Sequence, residues 1–133
     1  MATPYQERKI ADPELNPGDK EYFDAAAEGK LMLKKCGDCG EVHHYPRALC
    51  PFCFSDKVQW TPAKGTGVIY TYSVTRRGGP VPYCIAYVTL DEGVTLLTNL
   101  VECDFDALAI DRPVRLAWRD VGPDASLPVF KPA

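Results

Sequence analysis

From Gly65 to the C-terminus, apolar and polar residues alternate with a period of two, the pattern of strands that bury one face and wet the other. Val68, Tyr70, Tyr72 and Val74 share a face of the first such strand, and Cys84, Ala86, Val88 and Leu90 share a face of the second. Asp91-Glu92-Gly93 makes a tight turn into a third strand with Val94, Leu96, Thr98 and Leu100 on one side. The alternation stops at Asp104-Phe105-Asp106-Ala107-Leu108, which has the makings of one helical turn. It resumes with Val114, Leu116 and Trp118 facing inward and Arg115 and Arg119 outward, and Leu127-Pro128-Val129-Phe130 closes the chain.

Four or five short antiparallel strands in about 65 residues, interrupted once by a helical turn, predict a small barrel of the OB-fold type rather than a sandwich. The first two barrel strands are separated by Arg76-Arg77-Gly78-Gly79-Pro80-Val81-Pro82, whose glycines and prolines predict a loop displaying two guanidinium groups. Gly65-Thr66-Gly67 has no helix after it to cradle a phosphate and reads as a turn.

Ahead of the barrel the period changes. Tyr22, Phe23, Ala26 and Ala27 fall on one face of a helix over 16–30, with Asn16 as cap, Pro17 in the first turn and Gly29 as stop. About three turns of helix need docking to persist. This one is expected to pack on its own domain or on another subunit. Residues 1–15 mix charge with proline without a period and read as an extended arm, either disordered or ordered by a partner. The chain therefore divides into an arm (1–15), an N-terminal helix (16–30), a cysteine-bearing ribbon (31–61) and an OB barrel (62–133), a mainly β fold.

The ribbon assignment rests on two C-x-x-C pairs ten residues apart, Cys36-Gly-Asp-Cys39 and Cys50-Pro-Phe-Cys53. Leu31–Lys35 enters the first pair as a strand and Val58-Gln59-Trp60 leaves the second. Two such knuckles can close a tetrahedral thiolate site with Zn–S distances of about 2.3 Å. Four cysteines fill the shell and leave no place for water or substrate, so the Zn2+ is structural. His43 and His44 between the knuckles are expected to face solvent or a partner. Cys84 and Cys103 read as small buried hydrophobes, with no base nearby in sequence to make either a nucleophile.

Composition narrows the function classes. Hydrophobic residues at 46% and charged residues at 25% describe an ordinary globular protein, and the net charge of -3 argues against nucleic acid as a partner. The start lacks an apolar signal core and no window approaches a membrane span, so a cytoplasmic protein with no membrane partner is expected. P-loop, GxGxxG, HExxH and GxSxG motifs are absent.

Several segments together resemble a known family. They are the helix before Gly29-Lys30-Leu31, the four-cysteine ribbon with Tyr45-Pro46-Arg47 between its knuckles, Gly65–Tyr72, Pro82-Tyr83, Leu97-Thr98-Asn99-Leu100 and Leu127-Pro128-Val129-Phe130. Over residues 20 to 132 the chain is similar to bacterial and archaeal proteins that join a rubredoxin-like zinc ribbon to an OB-fold and associate with acyl-CoA enzymes. Asp111-Arg112-Pro113, His43-His44 and the arm depart from the family pattern.

The resemblance implies a non-catalytic accessory subunit of a thiolase-type complex, an acyl-CoA C-acyltransferase, that stabilises its partner and helps shape the acyl-CoA site. A degradative pathway for aromatic or steroid-derived acyl-CoA is the associated expectation. In some systems the partner is an acyl-CoA aldolase. Arg76, Arg77, Tyr83 and Arg47 are the candidate contacts for the anionic coenzyme A, with Lys64 a weaker one. Two other classes compete. One is a single-stranded nucleic-acid module, disfavoured by the acidic balance; the other is an iron-loaded electron-transfer site, disfavoured by the short gap between the pairs and the large domain after them.

Overall fold

A computed structural model describes residues 2–122 and 125–133. One helix, α1 (Lys20–Ala27), precedes a three-stranded antiparallel sheet in the order β2-β1-β3, made of β1 (Met32–Cys36), β2 (Val42–His43) and β3 (Val58–Pro62). The barrel follows with β4 (Thr66–Thr75), β5 (Tyr83–Leu90), β6 (Thr95–Leu100), β7 (Pro113–Gly122) and β8 (Ala125–Pro132). These close in the order β4-β5-β6-β8-β7. Phe105–Ala107 forms a 3-10 turn between β6 and β7, where the alternation stopped. The mainly β class with a ribbon and a five-stranded OB barrel is thus as the sequence predicted. β6 and β8 run parallel, joined where Val101 N–H donates to the Phe130 carbonyl (2.9 Å) and where the Thr98 hydroxyl donates to that of Pro128 (3.0 Å).

The helix begins later than predicted. Asn16 is not its cap; Asp19 is, and the Asp19 carboxylate turns back to accept from the Asn16 N–H (2.9 Å), closing a turn with Gly18 at φ +92°. Its end follows the sequence closely. Gly29 sits at φ +81°, its N–H donates to Ala26 and the Lys30 N–H to Ala25, the paired bonds of a Schellman stop. Tyr22, Phe23 and Ala26 are buried, whereas Ala27 faces solvent. The stripe packs on β8 and β1 of its own chain, so this face is not free for another subunit.

β4 corrects the predicted stripe. Gly67 and Ile69 point into the barrel, Tyr70 stands out at 63% exposed, and Tyr72 and Val74 return to the core. The pairing with β5 steps from Ile69↔Val88 to Thr71↔Tyr87, leaving Tyr70 as the extra residue of a bulge. The bulge bends the strand so that its first residues pair with β7 as well as β5, which is how the barrel closes. Of Gly65-Thr66-Gly67, only Gly65 (φ +85°) belongs to a turn. Gly67 lies within β4, where a Cβ would press into the Thr89 carbonyl and come within 3.0 Å of the Leu90 Cα.

The arm is ordered on the barrel by its own chain. The Tyr5 N–H donates to the Cys103 carbonyl (3.1 Å), the Phe105 N–H donates to that of Thr3 (3.0 Å), and the Tyr5 ring meets Phe105 edge-on. Arg119, predicted to face outward, is largely covered: it ion-pairs with Glu7 (2.8 Å) and donates to the Arg8 carbonyl (2.7 Å). Tyr22, Phe23, Leu31 and Leu33 belong to the same buried cluster as Ile69, Val88, Leu100, Phe105 and Phe130. Helix, ribbon and barrel therefore share one core.

Gly67→Ala is expected to lower unfolding free energy by about 1–3 kcal/mol, because backbone has to move to admit the methyl group. Urea denaturation checks it, with Thr71→Ala on the exposed side of the same strand staying within about 0.5 kcal/mol of the parent.

Candidate metal centre and ligand surfaces

β1 delivers Cys36 into the first knuckle, and the second repeats its geometry. The Gly40 N–H donates to the Cys36 carbonyl (3.0 Å) as the Phe54 N–H does to that of Cys50 (2.9 Å). Each turn ends in a left-handed residue, Gly40 (φ +77°) and Phe54 (φ +64°). The four Sγ atoms all lie within 4.8 Å of one another, with Cys36–Cys53 and Cys39–Cys50 both 3.6 Å apart. A tetrahedron with Zn–S bonds of about 2.3 Å has edges of about 3.8 Å, so the sulfurs fit one zinc ion.

Backbone N–H groups aim at the sulfurs: those of Asp38 (3.4 Å) and Cys39 (3.5 Å) at Cys36, and that of Phe52 (3.4 Å) at Cys50. The Cys39 N–H, helped by that of Asp38 and opposed by burial, lowers the Cys36 thiol to about 6. Against the Glu41 N–H, burial and the neighbouring sulfurs push Cys39 up to about 12, and Cys53 is raised in the same way against the Ser55 N–H, so it takes a cation to hold all four as thiolates. All four positions are used by the shell, and the site is structural.

Neither histidine takes the exposed position predicted for it. His43 is only 4% exposed, and neither of its ring nitrogens has a hydrogen-bond partner. Burial lowers its pKa, and the charges of Lys34 and Arg47 lower it further. The His44 Nε2 lies 2.9 Å from the Tyr22 hydroxyl, and its ring packs on Tyr22 and Tyr45. Burial, then the His43 charge, brings His44 down to about 4, and burial pushes Tyr22 up. This aromatic group is the joint between helix and ribbon.

The candidate coenzyme A residues do not converge. Arg76 is held by Asp106 (2.6 Å), whose other oxygen accepts from the Thr3 hydroxyl (2.8 Å). Tyr83 is half-buried beneath the Arg8 guanidinium, 4.2 Å from its ring centroid. Arg47 is exposed at the rim of a depression of about 330 Å3 shared with His43, Phe52 and Gly93, away from the small cleft of about 20 Å3 that Tyr83 lines. Arg77 is exposed on its loop. Sequence reasoning missed Asp104, Asp106 and Arg8, which bind the arm through contacts far apart along the chain.

Cys84 is the buried hydrophobe expected, its thiol pushed up to about 12 by burial; Cys103 is half-buried and raised by the same cause. Among the described residues the only side-chain hydrogen bond of a histidine is the one between His44 and the Tyr22 hydroxyl, and neither Cys84 nor Cys103 shares it.

Cys36→Ser is expected to abolish stoichiometric zinc and lower the melting temperature. Cobalt substitution of the parent should give the intense bands of tetrahedral thiolate coordination, read by metal analysis and absorption. The second expectation concerns pH. His44 titrates near 4 folded against 6.5 ordinarily, so the unfolded chain binds the extra proton between those values. Stability from His44 is complete above pH 6.5 and lost as pH falls toward 4, by about 3 kcal/mol at most. The loss on going from pH 7.5 to 4.5, measured by urea midpoints, should be smaller in His44→Gln than in the parent.

No helix among the described residues is long and apolar enough to cross a membrane. Residues 23–59 match the family model described as ChsH2, rubredoxin-like zinc ribbon domain, and residues 60–119 match ChsH2, C-terminal OB-fold domain. A probable enoyl-CoA hydratase alpha subunit of Thermomonospora curvata is 37% identical, covering 91% of this chain and 39% of the relative. The 3-oxo-4,17-pregnadiene-20-carboxyl-CoA hydratase alpha subunit of Mycobacterium tuberculosis is 30% identical over 84% of this chain and 36% of its own length. The chain thus spans under two-fifths of these subunits. A DUF35 domain-containing scaffold protein of Methanothermobacter thermautotrophicus is 33% identical, over 68% of this chain and 73% of the relative. Among solved structures, a chain of the Ltp2-ChsH2(DUF35) aldolase superposes with TM-score 0.81 at 37% identity, covering 90% of this chain and 98% of that one. With the two family models matched in succession over residues 23–119, a scaffold relative covered over most of its length and a superposable solved chain, this chain belongs to the ChsH2 type of the DUF35 family.

Proposed function

We propose that this chain is the zinc-bound scaffold subunit of an acyl-CoA-processing complex, with the chemistry carried by a separate catalytic protein. The observation that carries this reading is the match to nearly the whole of one chain of the Ltp2-ChsH2(DUF35) aldolase. The thiols support it: four are committed to the metal and the other two are raised by burial. An aldolase is placed ahead of the thiolase-type enzyme that the resemblance implied, because the similar complex is named for an aldolase and two relatives are hydratase subunits. The pregnadiene carboxyl-CoA named in one relative favours a steroid-derived acyl group over an aromatic one.

The scaffold's contribution to the acyl-CoA site would be cationic. Arg77 and Arg47 stand exposed, whereas Arg76 is held by Asp106 and Tyr83 by Arg8. The first two are therefore the residues to offer phosphate contacts, with Arg76 and Tyr83 supporting the loop that carries Arg77.

Co-expression with the acyl-CoA aldolases and hydratases of the source genome tests the proposal. One of them is expected to co-elute with the chain and to lose most of its turnover when the chain is omitted. In that complex Arg77→Ala or Arg47→Ala should raise KM for the acyl-CoA about three- to tenfold with kcat unchanged. If no such enzyme co-elutes or changes its turnover, the scaffold reading is wrong.

A further inference from the structure

We infer that the outer face of β4, β5 and β6, centred on Ile85, Tyr87 and Leu97, is the surface on which the catalytic partner protein sits. This rests on the scaffold reading above and adds the place of contact. Tyr87 lies between Thr71 on β4 and Leu97 on β6, and Ile85 between Ser73 and Asn99, so the apolar side chains adjoin across three strands. Ile85, Tyr87 and Leu97 are 42%, 45% and 58% exposed around a depression of about 120 Å3.

Outward positions in the middle of this face include Thr71, Ser73, Ile85, Tyr87, Leu97 and Asn99, and Tyr83 follows at its edge beneath Arg8. Not one is charged, in a chain whose residues are 25% charged. Absence of charge with an aromatic centre is the composition of the buried middle of a protein interface. Its polar groups are already partly satisfied from within. The Thr89 and Thr95 hydroxyls bond each other (2.9 Å), and the Asn99 amide donates to the Cys84 carbonyl (3.0 Å). Covering the face therefore strands few donors or acceptors.

The occupant has to match a neutral, apolar surface. Oligonucleotides use the corresponding strands of other OB barrels, but they need cations along the groove, and these strands supply none. A folded protein with an apolar patch fits. The band also continues off the barrel. Leu97 lines a second cleft, of about 230 Å3, with Tyr22, His44, Tyr45, Leu127 and Pro128, where helix and ribbon meet β6 and β8. A partner seated on Leu97 reaches ribbon and barrel together, as a scaffold that orients an enzyme requires.

The test is co-elution of the chain with the enzyme identified above, using Leu97→Glu, Tyr87→Glu and Thr71→Arg, and Phe54→Ser on the zinc knuckle as a control. Zinc content and melting temperature are recorded for each. Leu97→Glu and Tyr87→Glu are expected to weaken binding at least a hundredfold and Phe54→Ser to leave it unchanged. Thr71→Arg removes no packed apolar group, so loss of binding there at parental melting temperature supports the face even if a glutamate variant fails to fold. Parent and variants that all bind alike overturn the inference and leave the scaffold reading standing. A parent that binds no such enzyme overturns that reading and the inference with it. If these variants instead abolish self-association, or binding of an oligothymidylate probe, while the enzyme still binds, the face belongs to a second copy or to nucleic acid and the inference is wrong.

Discussion

The ribbon, and the joint it makes with the helix, depends on four sulfurs held within 4.8 Å. The ribbon has strands of five, two and five residues, too little sheet and too little apolar burial to order itself. A tetrahedral ion ties both knuckles at once and thereby fixes the end of β1 against the start of β3, where Cys36 pairs with Val58. With β1 fixed, Leu31 and Leu33 are presented to the barrel core. The segment between the knuckles is placed so that His44 and Tyr45 meet Tyr22 of the helix. The metal thus acts on the fold from its edge, through the residues it positions rather than through chemistry of its own.

A second set of constraints comes from cations used within the chain. Arg76, Arg119 and Arg8 each hold an element in place: Arg76 fastens the long loop to Asp106, Arg119 fastens the arm through Glu7 and the Arg8 carbonyl, and Arg8 covers Tyr83. Exposed ion pairs taken singly contribute little. Here they act with backbone bonds from Tyr5 and Phe105 and with an aromatic contact, and the arm takes a defined course across the barrel. Of the guanidinium groups that read as ligand contacts in the sequence, Arg76 is one of these fastenings.

What was legible in the sequence had a local cause. The C-x-x-C spacing fixes how far apart sulfurs can lie, Gly29 is read from the left-handed stop it allows, and β5 and β6 alternate strictly because each has one face in the core. What was missed had a non-local cause. The phase slip at Tyr70 exists because β4 has to serve two neighbours, and nothing within β4 alone announces that. Asp19 displaces Asn16 as cap because the turn closed by Asn16 and Gly18 precedes the helix instead of starting it. His44 is covered by a helix more than fifteen residues away in sequence. The course of the arm depends on Asp104 and Asp106, about a hundred residues downstream.

The outer barrel face was hidden in a different way. Alternation assigns Ile85, Tyr87 and Leu97 to the solvent side, and the habit of reading that side as polar passes over them. The informative quantity is the identity of the outward residues: a half-buried strand that is uncharged on its wet face is being kept dry by something else. Because helix, ribbon and barrel share a core, that face and the adjoining cleft at Tyr45 move as one body. A partner that covers both loses little conformational entropy on this side of the interface, so apolar contact of modest extent can translate into a stable complex. Rigidity supplied by the zinc, whose second knuckle shares a depression with Thr95 of β6, is then what makes the contact surface useful.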